Sequence, residues 1–288
     1  MGRITLVLRL ELLRLRMKYS QILSYYKQAE ILEKSLHIWA NQTFPKKDYE
    51  VLVMDGEQSE DGIKIAQNYK TEYPDFNLRY FTYGGRIVYK CPIHAWNVGI
   101  KQSMGEIIGL TMEDRLTTFD AVEALYRPHT RENDIFCTVL PRLIEGSGGS
   151  NKIETVNWRE NPKLLFAISK PTIIATKEKK ENETVMFSLP RQIMLELGGF
   201  DERWRDYGYW MLSLYQRFLS YGLKPHEVSW IINAHHPHHR HGTMEAGKYD
   251  GQARIAQWEK IKKLNDHPFK ENIGMNWGEM EGNKEIKL

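Results

Sequence analysis

Three short apolar runs, each closed by a polar turn and separated by segments of helical period, constrain this chain most. Gln21-Ile22-Leu23-Ser24-Tyr25-Tyr26 is the first run. Ala29 to Ala40 follows, with apolar residues at 31, 32, 36 and 39, the spacing of one helix face. Tyr49-Glu50-Val51-Leu52-Val53-Met54 is the second run, nearly continuous in apolar residues, as a strand covered on both faces should be. Ser59 is placed to cap a helix reaching Tyr73, which Pro74 stops. Asn77 to Tyr83 is the third run, closed by Gly84-Gly85. Strand, helix, strand, helix, strand predicts parallel βαβ units.

In such a sheet ligands bind beyond the carboxyl ends of the strands. Asp55 stands at the end of the second run. A further helix, Pro92 to Met104, leads into Ile107-Ile108-Gly109-Leu110, a strand ending at Met112-Glu113-Asp114. Asp55 and Asp114 are therefore expected to face one crevice. Downstream, the pattern predicts a helix over 119–126, a strand over 135–140 and a mobile Gly-, Ser- and Asn-rich loop over 144–160. Helices over 190–197 and 209–221, a strand over Val228–Ile232, a helix over 245–264 and a polar tail complete the reading. The expected organisation is an extension over 1–17, an α/β domain over 18–242, and a C-terminal helix and tail over 243–288.

Charge and cysteine usage narrow the function classes. A formal net charge of +3 over 288 residues is too small to argue for nucleic acid. Two cysteines, Cys91 and Cys137, fit a reducing compartment better than a disulfide framework, so a cytoplasmic location is expected. No run reaches the roughly 20 apolar residues of a membrane span. The first segment interleaves leucines with Arg3, Arg9, Arg14 and Arg16. It reads as a basic interfacial helix touching a membrane surface, as a transit-like peptide, or as an extension upstream of Met17.

Five blocks in order resemble the family-two glycosyltransferases of the GT-A fold. They are the Tyr26 turn with Ala29–Leu36, Glu50–Asp55, Ala95-Trp96-Asn97-Val98-Gly99, Gly105–Leu110, and Gly198-Gly199-Phe200-Asp201-Glu202. The resemblance implies a Rossmann-like, mostly parallel sheet flanked by helices. It also implies transfer of a sugar from a nucleotide-sugar donor to a glycan, lipid or protein acceptor, with inversion and with a divalent cation, Mn²⁺ or Mg²⁺. By position it assigns Asp55 to the nucleotide base. It places Tyr26, Glu57, Asn97 and Glu113 at the substrates, and Asp114 with His235 or His236 at the metal; by their own chemistry Trp210 suits stacking on a sugar ring or the core, Arg240 suits phosphate, and Asn97 suits bracing its loop equally well.

Two positions depart from the family pattern. Met112 stands where the first Asp of the Asp-x-Asp motif is expected, leaving Asp114 as the second. Tyr207 to Ser213 holds no carboxylate where the family places its base, and Asp206 is the nearest upstream acid. The chemistry requires a neutralised diphosphate, a positioned base and an in-line geometry. A catalytically silent GT-A domain that binds a nucleotide, glycan or protein is the alternative. A nucleotidyltransferase would need a Gly-rich first loop, which Ser24–Gln28 lacks.

Overall fold

The computed structural model describes residues 17–56, 58–82, 92–144, 153–171, 186–203, 210–235, 259, 270–279 and 282–288. The expected βαβ alternation forms as read. Strand β1 (Tyr19–Tyr25) is followed by α1 (Ala29–Ala40), β2 (Tyr49–Asp55), α2 (Glu60–Glu72) and β3 (Leu78–Thr82). The Ser59 Oγ accepts from the Gly62 N–H, which confirms the capping role read from sequence. Helix α3 (Ile93–Gln102) and strand β4 (Ile107–Met112) continue the pattern.

Strand β1 is buried at all seven positions because it lies between β2 and β4, parallel to both. Its alternate side chains feed two cores. Ile22, with Leu52 and Met54, faces α3 and helices α5 (Arg191–Glu196) and α6 (Trp210–Tyr221). Leu23 and Tyr25, with Val51 and Val53, face α1, α2 and α4 (Ala121–Tyr126). The sheet is thus covered by helices on both faces.

The chain order of the remaining strands is β5 (Arg115–Leu116), β6 (Ile135–Thr138), β7 (Pro141–Ile144), β8 (Ser169–Pro171), β9 (Phe187–Pro190), β10 (Lys224–Glu227), β11 (Asn233–His235) and β12 (Lys284–Ile286). Eight strands make one sheet in the order β10-β6-β9-β4-β1-β2-β3-β12, and four make a small second sheet in the order β5-β11-β7-β8. Strand β9 is antiparallel to both β4 and β6, so β6 and its parallel partner β10 run with β4. Their carboxyl ends therefore lie on the same edge as Asp114.

Three expectations are corrected. The strand read over Val228–Ile232 is instead an outward loop between β10 and β11. Its apolar residues Val228, Ile231 and Ile232 are buried as anchors and do not alternate across a pleat. The mobile loop read over 144–160 is anchored where it is described, since Ile153 and Trp158 are buried in a third core and Arg159 makes two hydrogen bonds to the Glu33 carboxylate. Residues 145–152 lie outside the described residues. The polar tail is part of the fold: β12 pairs antiparallel with β3, and Arg79 links Glu50 of β2 to Glu285 of β12. The helix expected over 245–264, apart from Glu259, and the extension expected over 1–17, apart from Met17, lie outside the described residues. Among the described residues no helix is long and apolar enough to cross a membrane.

Candidate active site

Two acidic strand ends converge on the carboxyl edge of the sheet, on either side of β1. The register sets Tyr25 beside Asp55 on one side and Ser24 beside Met112 on the other. Neighbouring strands lie about 4.8 Å apart, so β2 and β4 end roughly 10 Å from each other. Tyr26 bridges the gap, its backbone N–H donating to Glu113 Oε1 at 3.2 Å.

Asp55 is fully buried. Its Oδ2 accepts from the Ser59 N–H at 2.7 Å and from the Tyr80 hydroxyl at 2.8 Å. Burial raises the Tyr80 hydroxyl pKa, and the Asp55 charge raises it further, so Tyr80 stays a donor. Tyr80 was not singled out in the sequence. The signal for it is chemical: a carboxylate buried at a strand end needs donors, and the adjacent strand is the nearest source.

Glu113 and Asp114 are both nearly fully buried. Burial pushes the Glu113 carboxyl well above the usual carboxylate range. The Asp114 charge adds to this, two backbone N–H groups oppose it, and Asp55 contributes at longer range. Asp114 Oδ1 lies 3.5 Å from Arg115 Nε. A desolvated pair of hard oxygen donors that resists carrying two negative charges is the donor chemistry a small divalent cation favours. The backbone of His235 is brought to this place by β11, which pairs with β5 so that His235 stands opposite Arg115. Among the described residues no group of three or more His, Cys, Asp or Glu side chains is arranged to hold a metal.

Two of the expected substrate residues turn inward. Asn97 is fully buried, and its Nδ2 donates to the Phe200 carbonyl and to Glu202 Oε1, both at 2.9 Å. Its Oδ1 accepts from the Phe200 N–H at 2.8 Å. Asn97 therefore braces the Gly199–Glu202 segment. Gly199 lies at φ +70, where a Cβ would meet Asn97 Oδ1 and the Trp277 ring at 2.5 Å, so this position requires glycine. Trp210 is the second of these residues. It packs against Trp96 at 5.2 Å and Phe200 at 6.0 Å between ring centroids, as a core residue.

Helix α6 carries no carboxylate along its length, and Met211, beside Trp210, is buried in the same core. Asp201 is held by Arg203 through both of its oxygens. Glu202 Oε1 accepts from Asn97 and from the Gly278 N–H. Glu57, Asp206, His236 and Arg240 lie outside the described residues, as does the side chain of His235.

A mostly parallel sheet, covered on both faces and carrying acids at the ends of β2 and β4, defines an α/β domain of the GT-A class. The same fold is seen in a mannosyltransferase from Pyrobaculum calidifontis described with GDP-Man and Mn²⁺, at 17% identity and a TM-score of 0.56, covering 88% of this chain and 67% of that one. It is also seen in S. aureus TarS 1–349 described with UDP, at 14% identity and a TM-score of 0.57, covering 76% of this chain and 60% of that one. The chain belongs to glycosyl transferase family 2, whose model matches residues 20–195.

Two curated relatives show partial similarity. A poly(ribitol-phosphate) beta-glucosyltransferase of Bacillus spizizenii is 26% identical over 159 residues, 54% of this chain and 22% of its own length. The glycosyltransferase AglE of Haloferax volcanii is 36% identical over 95 residues, 31% of this chain and 28% of its own length. The matched stretches thus span about a quarter of the length of these relatives.

Proposed function

We propose that the chain is a glycosyltransferase domain that moves a sugar from a nucleotide-sugar donor to an acceptor hydroxyl, with inversion. The observation that carries this reading is the convergence of Asp55 with Glu113 and Asp114 on either side of Tyr26. Asp55, held by Tyr80 and Ser59, orients the nucleotide base. Asp114 with His235, and Glu113 beside them, would hold a divalent cation. A bound Mn²⁺ or Mg²⁺ would neutralise the leaving diphosphate. Structural neighbours described with GDP-Man and Mn²⁺, and with UDP, support that donor class.

The base is drawn from the segment before α6. That helix lacks acids, Asp201 is bound to Arg203, and Glu202 is bound to Asn97. Asp206 is the remaining acid between Glu202 and α6. It would take the acceptor proton as the hydroxyl attacks. The acceptor is a hydroxyl of a glycan, lipid or protein. A cytoplasmic setting, with the basic first segment against a membrane surface, completes this reading.

A second reading is favoured by one specific observation. Trp210 and Met211 occupy the family's acid positions and are buried in the core, as in a domain that binds a nucleotide without turnover. Nucleotide-sugar hydrolysis with Mn²⁺, comparing the full chain with Asp114→Ala, separates the two. Slow hydrolysis abolished by the substitution supports the transferase. Nucleotide binding without turnover for every donor tried supports the silent domain.

A further inference from the structure

The loop between β10 and β11 carries the chain from the eight-stranded sheet to the four-stranded sheet and bulges outward at the carboxyl edge of the strands. Glu227 pairs with Thr138 before it, and Asn233 pairs with Pro141 after it. Residues 228 to 232 thus cross from the eight-stranded sheet to the four-stranded sheet, where residues 139 and 140 make the neighbouring crossing from β6 to β7, five against two, an excess of three. Here both ends are pinned. Val228 is buried and its N–H donates to the Thr138 carbonyl, and Ile231 and Ile232 are buried on the far side. What the bulge pushes out is Ser229 and Trp230.

Trp230 is 51% exposed. The other described tryptophans, Trp39, Trp96, Trp158, Trp210 and Trp277, are all buried. Leu140, in the neighbouring crossing from β6 to β7, is also exposed. A single exposed apolar residue is ordinary on a protein surface. A tryptophan on a loop with buried anchors offers a broad aromatic face with only two side-chain torsions to fix on binding.

Its position adds the second argument. Strands β6 and β10 run with β4, so the bulge lies on the edge that carries Asp114. Trp230 precedes His235 by five residues, and His235 stands opposite Arg115, next to Asp114. At about 3.3 Å per residue the Cα atoms of Trp230 and His235 are at most roughly 17 Å apart. That is within the span of a short oligosaccharide. The bulge also lies beyond the stretch 20–195 that matches the family model, where chains of one family are free to differ.

We infer that Trp230 is a stacking platform for a pyranose ring of the acceptor, held at the rim of the donor crevice by the β10–β11 bulge. The inference rests on the transferase reading. The apolar face of a sugar ring fits an aromatic face, and the ring hydroxyls stay hydrated at its edge. Trp230 is thereby a specificity-determining residue for the acceptor and plays no part in holding the donor.

The test uses the full chain, Trp230→Ala and Trp230→Tyr on an array of immobilised oligosaccharides, in the presence of UDP or GDP and Mn²⁺. Nucleotide-sugar hydrolysis, with water as acceptor, is measured alongside. Trp230→Ala is expected to lower glycan retention at least ten-fold, Trp230→Tyr to keep most of it, and both to hydrolyse donor within two-fold of wild type. Retention by Trp230→Ala equal to wild type overturns the inference. So does a wild-type chain that retains no glycan, or a Trp230→Ala hydrolysis rate that falls as far as retention does. Absence of donor hydrolysis in the wild type counts against the transferase reading alone, and glycan retention still decides Trp230.

Discussion

Arg115 and His235 stand opposite each other in an antiparallel pair, one residue beyond Asp114. The pairing joins two segments 120 residues apart in sequence and delivers a histidine to the acidic end of β4.

This pairing makes His235 a testable partner of Asp114. His235→Ala is expected to raise the Mn²⁺ concentration for half-maximal donor hydrolysis by ten-fold or more, the scale of losing roughly 1.4 kcal/mol of metal affinity. A Mn²⁺ titration at saturating donor checks it. An unchanged midpoint would remove His235 from the metal site.

Asn97 is expected to matter for stability and not for donor affinity. Asn97→Ala strips three hydrogen bonds from the Phe200–Glu202 segment and takes the acceptor from the buried Phe200 N–H, while Asn272 still donates to the Phe200 carbonyl and Gly278 to Glu202. A loss of about 2–3 kcal/mol is expected, read from urea unfolding. UDP or GDP affinity of the folded fraction should change little. A large fall in nucleotide affinity would restore Asn97 to the site.

The tail should prove indispensable. Trp277 is buried against Gly199 and the α3 core, Lys101 lies over its ring, and Asn272 donates to the carbonyls of Gly198 and Phe200. Trp277→Ala is expected to cost about 3 kcal/mol or more. Thermal unfolding checks this, and a shift no larger than a surface substitution gives would show that the tail is dispensable.

His129 predicts the acid limb of stability. Its ring is buried, with Nε2 3.0 Å from Ser188 Oγ, and burial lowers its pKa from 6.5 to about 4, with His226 adding to the shift. The unfolded chain therefore binds a proton at a higher pH than the folded one. Stability is full above about pH 6.5 and is lost as pH falls toward 4, by roughly 3 kcal/mol from this group at the limit. His129→Gln should flatten that slope in urea unfolding between pH 6.5 and 4.5. An unaltered slope would assign the loss to other groups.

Much of the frame was legible in local pattern. Helix α1 and strands β1 to β4 fall within about two residues of their reading, and Ser59 caps as read. Asp55 and Asp114 reach one edge because parallel strands must end on the same side. The reading failed where apolar residues serve as anchors. Val228, Ile231 and Ile232 look like a strand by composition but pin a bulge. Asn97 matched a motif by position, but its partners lie 103 to 105 residues away.

The sequence by itself determined the alternation of strands and helices from β1 to β4 and which acids close β2 and β4. These follow from side-chain periodicity and turn chemistry, which act over a few residues. Only the tertiary structure decided which polar groups are consumed by the fold: Asn97 by Phe200, Glu202 by Gly278, Asp201 by Arg203. It also decided that the tail is core and that Trp230 is surface. Burial and hydrogen-bond partnership are set by distant segments meeting, and no local pattern records which of them will meet.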